Sequence, residues 1–183
     1  MIPVRSAAEV LAFWREAGPD KWFNKSDDFD RAIRDNFVAT YEAAAAGRLS
    51  DWRATPEGAL ALVIVLDQFP RNMFRGDART WATDPLALEV TNQALAAGFD
   101  GKVARDLRPF FYLPLMHSED LADQQRCVEL YRKLGDDENG LKYAEIHADI
   151  IERFGRFPHR NLVLGRVTTA EEQRFLDDGG FSG

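Results

Sequence analysis

Apolar residues recur along this chain at intervals of three or four positions, which is the spacing of one face of an α-helix. The clearest example lies within residues 27–47, where Phe29, Ile33, Phe37 and Tyr41 follow one another at every fourth position. No stretch alternates apolar and polar residues over the length of a strand between turn residues. The pattern therefore predicts an all-α fold.

Capping and stop signals divide this pattern into separate helices. Ser6 and Glu9 form a capping box, and Gly18 followed by Pro19 marks the end of the first helix. Similar signals predict helices over 27–47, 55–69, 83–98, 118–135, 140–155 and 168–176. We expect about seven or eight helices in antiparallel pairs, within one domain that covers residues 1–183.

The helix predicted over 55–69, "TPEGALALVIVLDQF", is apolar on every side, so we place it at the centre of the core. Phe69 and Pro70 are expected to end it. Arg71 and Asn72 would then project from the following turn and could line one cavity together with the turn at 159–161. The alternative is that Phe-Pro-Arg-Asn only stops a buried helix.

Composition limits the class of protein. The formal net charge of −7 argues against a general binder of nucleic acid or of anionic membranes, because both need a basic face. The longest apolar run, "ALALVIVL", is too short to span a bilayer, and the N-terminus lacks the pattern of a signal peptide. The one cysteine, Cys127, excludes an internal disulfide and fits a small buried apolar residue in a reducing compartment. We therefore predict a soluble cytoplasmic protein.

Against this acidic background, the stretch "RFGRFPHRNLVLGR", residues 153–166, contains four arginines, one histidine and no acidic residue. Arg153 and Arg156 are three positions apart at the predicted end of a helix, so we expect them to share a face. Pro158 is expected to stop that helix. The following turn would present His159, Arg160 and Asn161, anchored to the core by Phe154, Phe157 and Leu162.

Three roles are compatible with this arginine-rich stretch. Arginine binds carboxylates and phosphates through paired donors, so the side chains could form an anion-binding or catalytic site. They could instead cap helix carbonyls or bridge helices through acidic residues. The candidate acids are Asp67, Glu119, Asp120, Asp123 and Asp149. The third possibility is a surface that docks another protein.

Two further histidines are candidates for a site. His117 precedes Ser118, which is expected to cap the next helix, and it could exchange a proton with a nearby carboxylate or simply pack there. His147 lies on the apolar face of its helix, where it is either a core residue or a functional one. His117, His147 and His159 have no short metal-ligand spacing, so we predict no metal site. The sequence also has no glycine-rich phosphate loop, so we predict no cofactor.

Three long motifs carry a resemblance to a known family. They are "LDQFPRNMFRG" at 66–76, "FFYLPLMHSEDL" at 110–121, and "HADIIERFGRFPHRNLVLGR" with the following "TTAEEQRFL" within 147–176. The chain resembles the bacterial family called domain of unknown function 924 from "VLAFWREAG" onward. This resemblance implies a helical array similar to tetratricopeptide proteins, and it implies no established activity.

Two functional hypotheses follow. The first is a binding scaffold with a site for an anionic small molecule or an acidic peptide. Its candidate ligand-binding residues are Arg71, Asn72, His117, His147, Arg153, Arg156, His159, Arg160 and Asn161. The alternative is an enzyme that acts on a phosphorylated or carboxylic metabolite, with arginine positioning the anion and histidine transferring the proton. Neither hypothesis requires nucleic acid or a membrane.

Overall fold

The computed structural model describes residues 2–182, and within them the chain forms helices, turns and loops but no strand. This confirms the all-α prediction. The α-helices are α1 (Ala7–Ala17), α2 (Pro19–Trp22), α3 (Asp27–Ala45), α4 (Pro56–Val63), α5 (Phe69–Met73), α6 (Asp84–Ala96), α7 (Leu113–His117), α8 (Leu121–Leu134), α9 (Glu138–Phe154) and α10 (Ala170–Asp177).

A π-helical segment, Ile64–Gln68, joins α4 to α5, so these two form one continuous helix. Counted in this way, the described residues contain nine helices. Seven of them correspond to the helices that the sequence predicted. The other two are α2 and α7, which are too short to show a periodic apolar pattern. The arrangement as a tetratricopeptide-like array stays a prediction.

The helix through α4 and α5 does not end at Pro70, contrary to the prediction. Pro70 has no N–H for the carbonyl of Leu66, the acceptor one turn earlier, so continuation of the helix would leave this buried oxygen unsatisfied. The hydroxyl of Thr83 donates to that oxygen over 2.6 Å. Arg71 and Asn72 therefore lie inside a helix and not in a turn.

The described chain forms two compact units. The first comprises residues 2–75 and 79–114, and its centre is the α4 helix with its π-helical extension. Residues 59–66 are fully buried there, and α1 and α6 pack against α4. The apolar face predicted for α3, from Phe29 to Tyr41, is also buried. The single domain over residues 1–183 stays a prediction.

The second unit comprises residues 76–78 and 115–182. In it, α8 packs against α9 across the three-residue connection 135–137, and Gly135 adopts a positive φ of 77° that ends α8. The prediction that Ser118 caps α8 is wrong. The N-cap is Asp120, whose side chain accepts the N–H of Ala122. Glu119 therefore lies outside the helix. A small core is formed by Ile150 and Ile151 of α9 together with Phe157.

None of the helices in residues 2–182 combines the length and the apolar character that a membrane crossing requires.

Candidate functional site

The arginine-rich stretch begins in the last turn of α9, and this helix ends at Phe154, one residue before the predicted end at 155. Gly155 takes a positive φ of 68°, and its N–H donates to the carbonyl of Ile151, which closes the helix after Phe154. Arg156 consequently lies beyond the helix and does not share a helical face with Arg153. Residues Pro158–Arg160 then form a single 3-10 turn.

Arg156 binds a buried carboxylate from α10. Its Nε donates to Oε1 of Glu172 over 2.6 Å, and its Nη2 donates to Oε2 over 2.9 Å. The same Nη2 donates to the carbonyl of Val167 over 2.7 Å. Glu172 is buried, and it also closes the capping box of α10, where it accepts the backbone N–H of Thr169. The charge of Arg156 is thus already compensated within the protein.

Asn161 connects this ion pair to a second one. Its Nδ2 donates to Oε2 of Glu172 over 3.2 Å, while its Oδ1 accepts from Nε of Arg166 over 2.9 Å. Arg166 in turn donates to both carboxylate oxygens of Glu119, over 2.7 and 3.0 Å. Oε1 of Glu119 also accepts the backbone N–H of Phe157. We call these five residues, Glu119, Arg156, Asn161, Arg166 and Glu172, the buried polar network, after its buried centre, Asn161 and Glu172; the other three are partly exposed.

Both carboxylates of the network are held in their charged form. Hydrogen bonds from Arg156 outweigh the opposing effect of burial and lower the pKa of Glu172 to about 2. For Glu119, burial alone would raise the pKa, but hydrogen bonds from Arg166 and from the backbone of Phe157 lower it overall. Both carboxylates of the network are therefore charged at neutral pH.

Arg160, His147 and His159 surround the buried ring of Phe157. The Arg160 guanidinium lies 4.5 Å from the centre of that ring, and its Nη2 donates to the carbonyl of His117 over 3.0 Å. Nδ1 of His147 carries a hydrogen, because it lies 2.7 Å from the Tyr143 carbonyl, which can only accept. His147 and Arg160 are buried, so both form part of the interior.

Three apolar residues that follow Asn161 in the chain lie at the surface. Leu162 is 90% exposed, Val167 is 84% exposed and Leu164 is 39% exposed. The expectation that Leu162 anchors the turn to the core is therefore wrong. Arg153 is also exposed; it pairs with Glu171 at 3.2 Å and lies over the ring of Phe154.

Arg71 and Asn72 belong to the first unit, where each contacts a carboxylate. Arg71 donates to both oxygens of Asp84, over 2.8 and 2.9 Å, and lies 3.4 Å from Asp67. Burial disfavours its charge, but Asp67 and Asp84 outweigh this effect and raise the pKa of Arg71. Asn72 donates to Asp30 over 2.8 Å. The charge of Arg71 is thus compensated by Asp67 and Asp84, and the amide of Asn72 is bound by Asp30.

Three members of the buried polar network are absent from the predicted site residues: Glu119, Arg166 and Glu172. Glu119 was considered as a bridging acid, and Arg166 stands inside the arginine-rich stretch. Glu172 had one available signal, the capping box that it forms with Thr169. That signal explains a helix start, however, and does not indicate the partner Arg156.

Other candidate chemistry is limited. Within residues 2–182, no group of three or more His, Cys, Asp or Glu side chains is placed to hold a metal ion. Cys127 is buried on α8, and burial raises the pKa of its thiol to about 12. The thiol is therefore protonated at neutral pH and is a poor nucleophile.

Comparison with known proteins gives two matches. The sequence profile of a bacterial protein family of unknown function, DUF924, matches residues 10–180. The solved structure of ATU0120, a protein of unknown function from Agrobacterium tumefaciens, is similar over 94% of this chain and 97% of that chain. The two share 51% sequence identity and superpose with a TM-score of 0.91. None of the curated proteins matches this chain.

Proposed function

We propose that this chain, which belongs to the bacterial DUF924 family of proteins of unknown function, is a cytoplasmic binding protein for an acidic peptide segment. The proposed binding surface is built from the second unit alone. It consists of residues 162–167, which we call the apolar loop, and of the arginines beside it.

The observation that carries this proposal is that the apolar loop holds three apolar side chains in water on a fixed backbone. Leu162, Leu164 and Val167 are exposed. The backbone N–H of Arg166 donates to the Asn161 carbonyl over 2.8 Å, and the side chains of these two residues form a second bond. Arg156 holds the far end of the loop through the Val167 carbonyl.

A fixed loop with apolar side chains favours binding for two reasons. Burial of exposed leucine and valine side chains by a partner removes apolar surface from water, which is favourable. Because the buried polar network already orders the backbone, a partner does not have to order it on binding. The role of the buried polar network in this proposal is to hold the apolar loop in place. Asn161 and Arg160 are buried and do not contact the peptide.

The rim of this surface is basic, which favours an acidic partner. Arg153, Arg156 and Arg166 each pair with a glutamate, but their side chains stay between 23% and 47% exposed. A guanidinium carries five N–H donors, and the glutamate partners of Arg153 and Arg156 engage only Nε and Nη2, so Nη1 of each arginine can donate to a second carboxylate. Arg166 uses both of its edges within the network and contributes only its charge. The partner that fits is a peptide with apolar side chains flanked by Asp or Glu.

A random peptide library displayed on phage and selected against the purified chain tests this proposal. The selected consensus peptide is then synthesised with a fluorescent label, and its Kd is measured by anisotropy. We expect acidic residues to flank apolar ones in the consensus. Because interface hot spots depend on buried apolar contacts, Leu162→Ser with Val167→Ser should weaken binding by about tenfold or more.

The matched control is Val4→Ser, because Val4 is also an exposed apolar residue but lies in the first unit. Both variants should keep the wild-type melting temperature, since the side chains that change are in water. Selection of no peptide, or selection of peptides that bind the Leu162/Val167 variant as tightly as the wild type, would contradict the proposal. Selection of uncharged peptides would contradict the acidic part of it.

A further inference from the structure

We propose a second, independent binding site in the first unit: a pocket that takes a short aliphatic carboxylate, with its hydrocarbon part among leucines and its carboxylate on Arg53. The pocket has a volume of about 150 Å³. The residues that matter for binding are Leu49, Leu62, Leu66, Leu86, Ser50 and Arg53.

The shape and lining of the pocket select the hydrocarbon part of the ligand. Leu62 and Leu66 are buried residues of the central helix and form the inner wall, while Gly47 and Ser50 are exposed at the mouth. An apolar cavity of about this volume accommodates a molecule of benzene size. The ligand that fits therefore has a hydrocarbon part of about four carbons and enters with its polar end outward.

Arg53 selects the polar end of the ligand. Its Nη1 donates to Oε1 of Glu89 over 2.5 Å and to Oε1 of Gln93 over 3.1 Å, which fixes the orientation of the guanidinium. Within residues 2–182, its buried Nε has no hydrogen-bond partner. A buried donor without an acceptor is unfavourable, and an acceptor that enters the pocket removes this cost.

The geometry of arginine makes a carboxylate the matching acceptor. Nε and the neighbouring Nη form one edge of the guanidinium, and that edge binds the two oxygens of a carboxylate side by side. Glu89 and Gln93 use the Nη1 donor. The edge that contains Nε is therefore left for the carboxylate of a ligand in the pocket, which Arg53 lines.

The probe for this site is isovalerate, a branched five-carbon carboxylate. It is titrated into the full chain with labelled leucine methyl groups, and the shifts are followed by NMR. We expect saturable shifts of the Leu62 and Leu66 methyl resonances. Arg53→Gln should raise the Kd by about tenfold or more, because it removes the bidentate partner. Ala45→Leu, at a partly exposed position that lines the pocket, should fill the space and abolish the shifts.

The control is Arg15→Gln, because Arg15 also pairs with a carboxylate, Asp106, in the same unit but does not line the pocket. This variant should bind isovalerate as the wild type does. Absence of saturable methyl shifts, or an unchanged Kd in Arg53→Gln, would overturn the proposed site. Equal binding of isoamyl alcohol, the neutral analogue, would overturn the assignment of a carboxylate. None of these three results bears on peptide binding by the apolar loop.

Discussion

Asn161 and Arg166 are joined by two hydrogen bonds, one between their backbones over 2.8 Å and one between their side chains over 2.9 Å. Together these bonds close residues 162–165 into a fixed turn. Asn161 is fully buried, and its other side-chain donor binds Glu172, so one amide connects two ion pairs. This relationship explains how an arginine-rich stretch without acidic residues is stabilised in an acidic protein.

Asn161→Ala should be strongly destabilising. It removes hydrogen bonds to two charged groups inside the protein, so we expect the free energy of unfolding to fall by about 2–3 kcal/mol. Asn24→Ala provides the comparison, because exposed Asn24 makes a single bond to the Asp20 carbonyl and its loss should matter little. Urea unfolding of both variants measures the difference; similar losses in the two would show that the network contributes no stability.

Glu172 should make the stability of the protein sensitive to acid. The pKa of Glu172 is lowered from 4.5 to about 2 in the folded chain, so its contribution is complete above pH 4.5 and is lost as the pH falls towards 2. The full contribution corresponds to about 3 kcal/mol. The difference in unfolding free energy between the wild type and Glu172→Gln should therefore become smaller as the pH is lowered from 6 to 2.

Glu171→Gln is the control for this pH series, since Glu171 is the neighbouring, exposed glutamate of α10. The difference between the wild type and this variant should stay nearly constant over the same pH range. A constant difference for Glu172→Gln as well would mean that its carboxylate is not held in the charged form.

Two threonines should respond in opposite ways to replacement by valine. Thr83→Val removes the donor to the Leu66 carbonyl, so we expect a loss of about 1–2 kcal/mol in unfolding free energy. Thr91 is equally buried, and within residues 2–182 its hydroxyl has no hydrogen-bond partner. Thr91→Val should therefore be neutral or stabilising. Thermal unfolding of the pair decides the matter, and equal destabilisation would contradict the role given to Thr83.

Gly140→Ala should destabilise the protein although it lies in a helix, where alanine is normally favoured over glycine by about 1 kcal/mol. A Cβ atom at this position would overlap the ring of Tyr131 on α8 and the side chain of Asp137. Gly101→Ala is the matched change, because a Cβ there meets no atom within 4 Å. Melting temperatures should fall for the first variant and stay level for the second; the reverse order would be incompatible with this packing.

Cys127 should resist thiol reagents in the folded protein. Its thiol is buried and its pKa is raised to about 12, so little thiolate is present at neutral pH. A chromogenic disulfide reagent should therefore label the native chain only at the rate of unfolding and label the urea-unfolded chain fully. Because the sequence contains one cysteine, the signal reports this position alone. Rapid labelling of the native protein would show that the thiol is accessible.

Local patterns predicted much of the helical structure. The four-residue spacing from Phe29 to Tyr41 placed the buried face of α3, and the Ser6–Glu9 pair gave the start of α1 correctly. Pro70 misled the prediction because its effect depends on whether another element satisfies the carbonyl of Leu66. That element is Thr83, which is distant in sequence and gives no local signal.

The candidate site shows the same division between local and distant information. From its composition alone, residues 153–166 were recognisable as a cluster of positive charge that needs partners. Only the tertiary structure decided that Glu119 and Glu172 supply them and that Leu162 points into water. Sequence determines helical periodicity and capping because these depend on neighbours within a few residues. Ion pairs between distant segments depend on how the helices pack, which no short window of sequence contains.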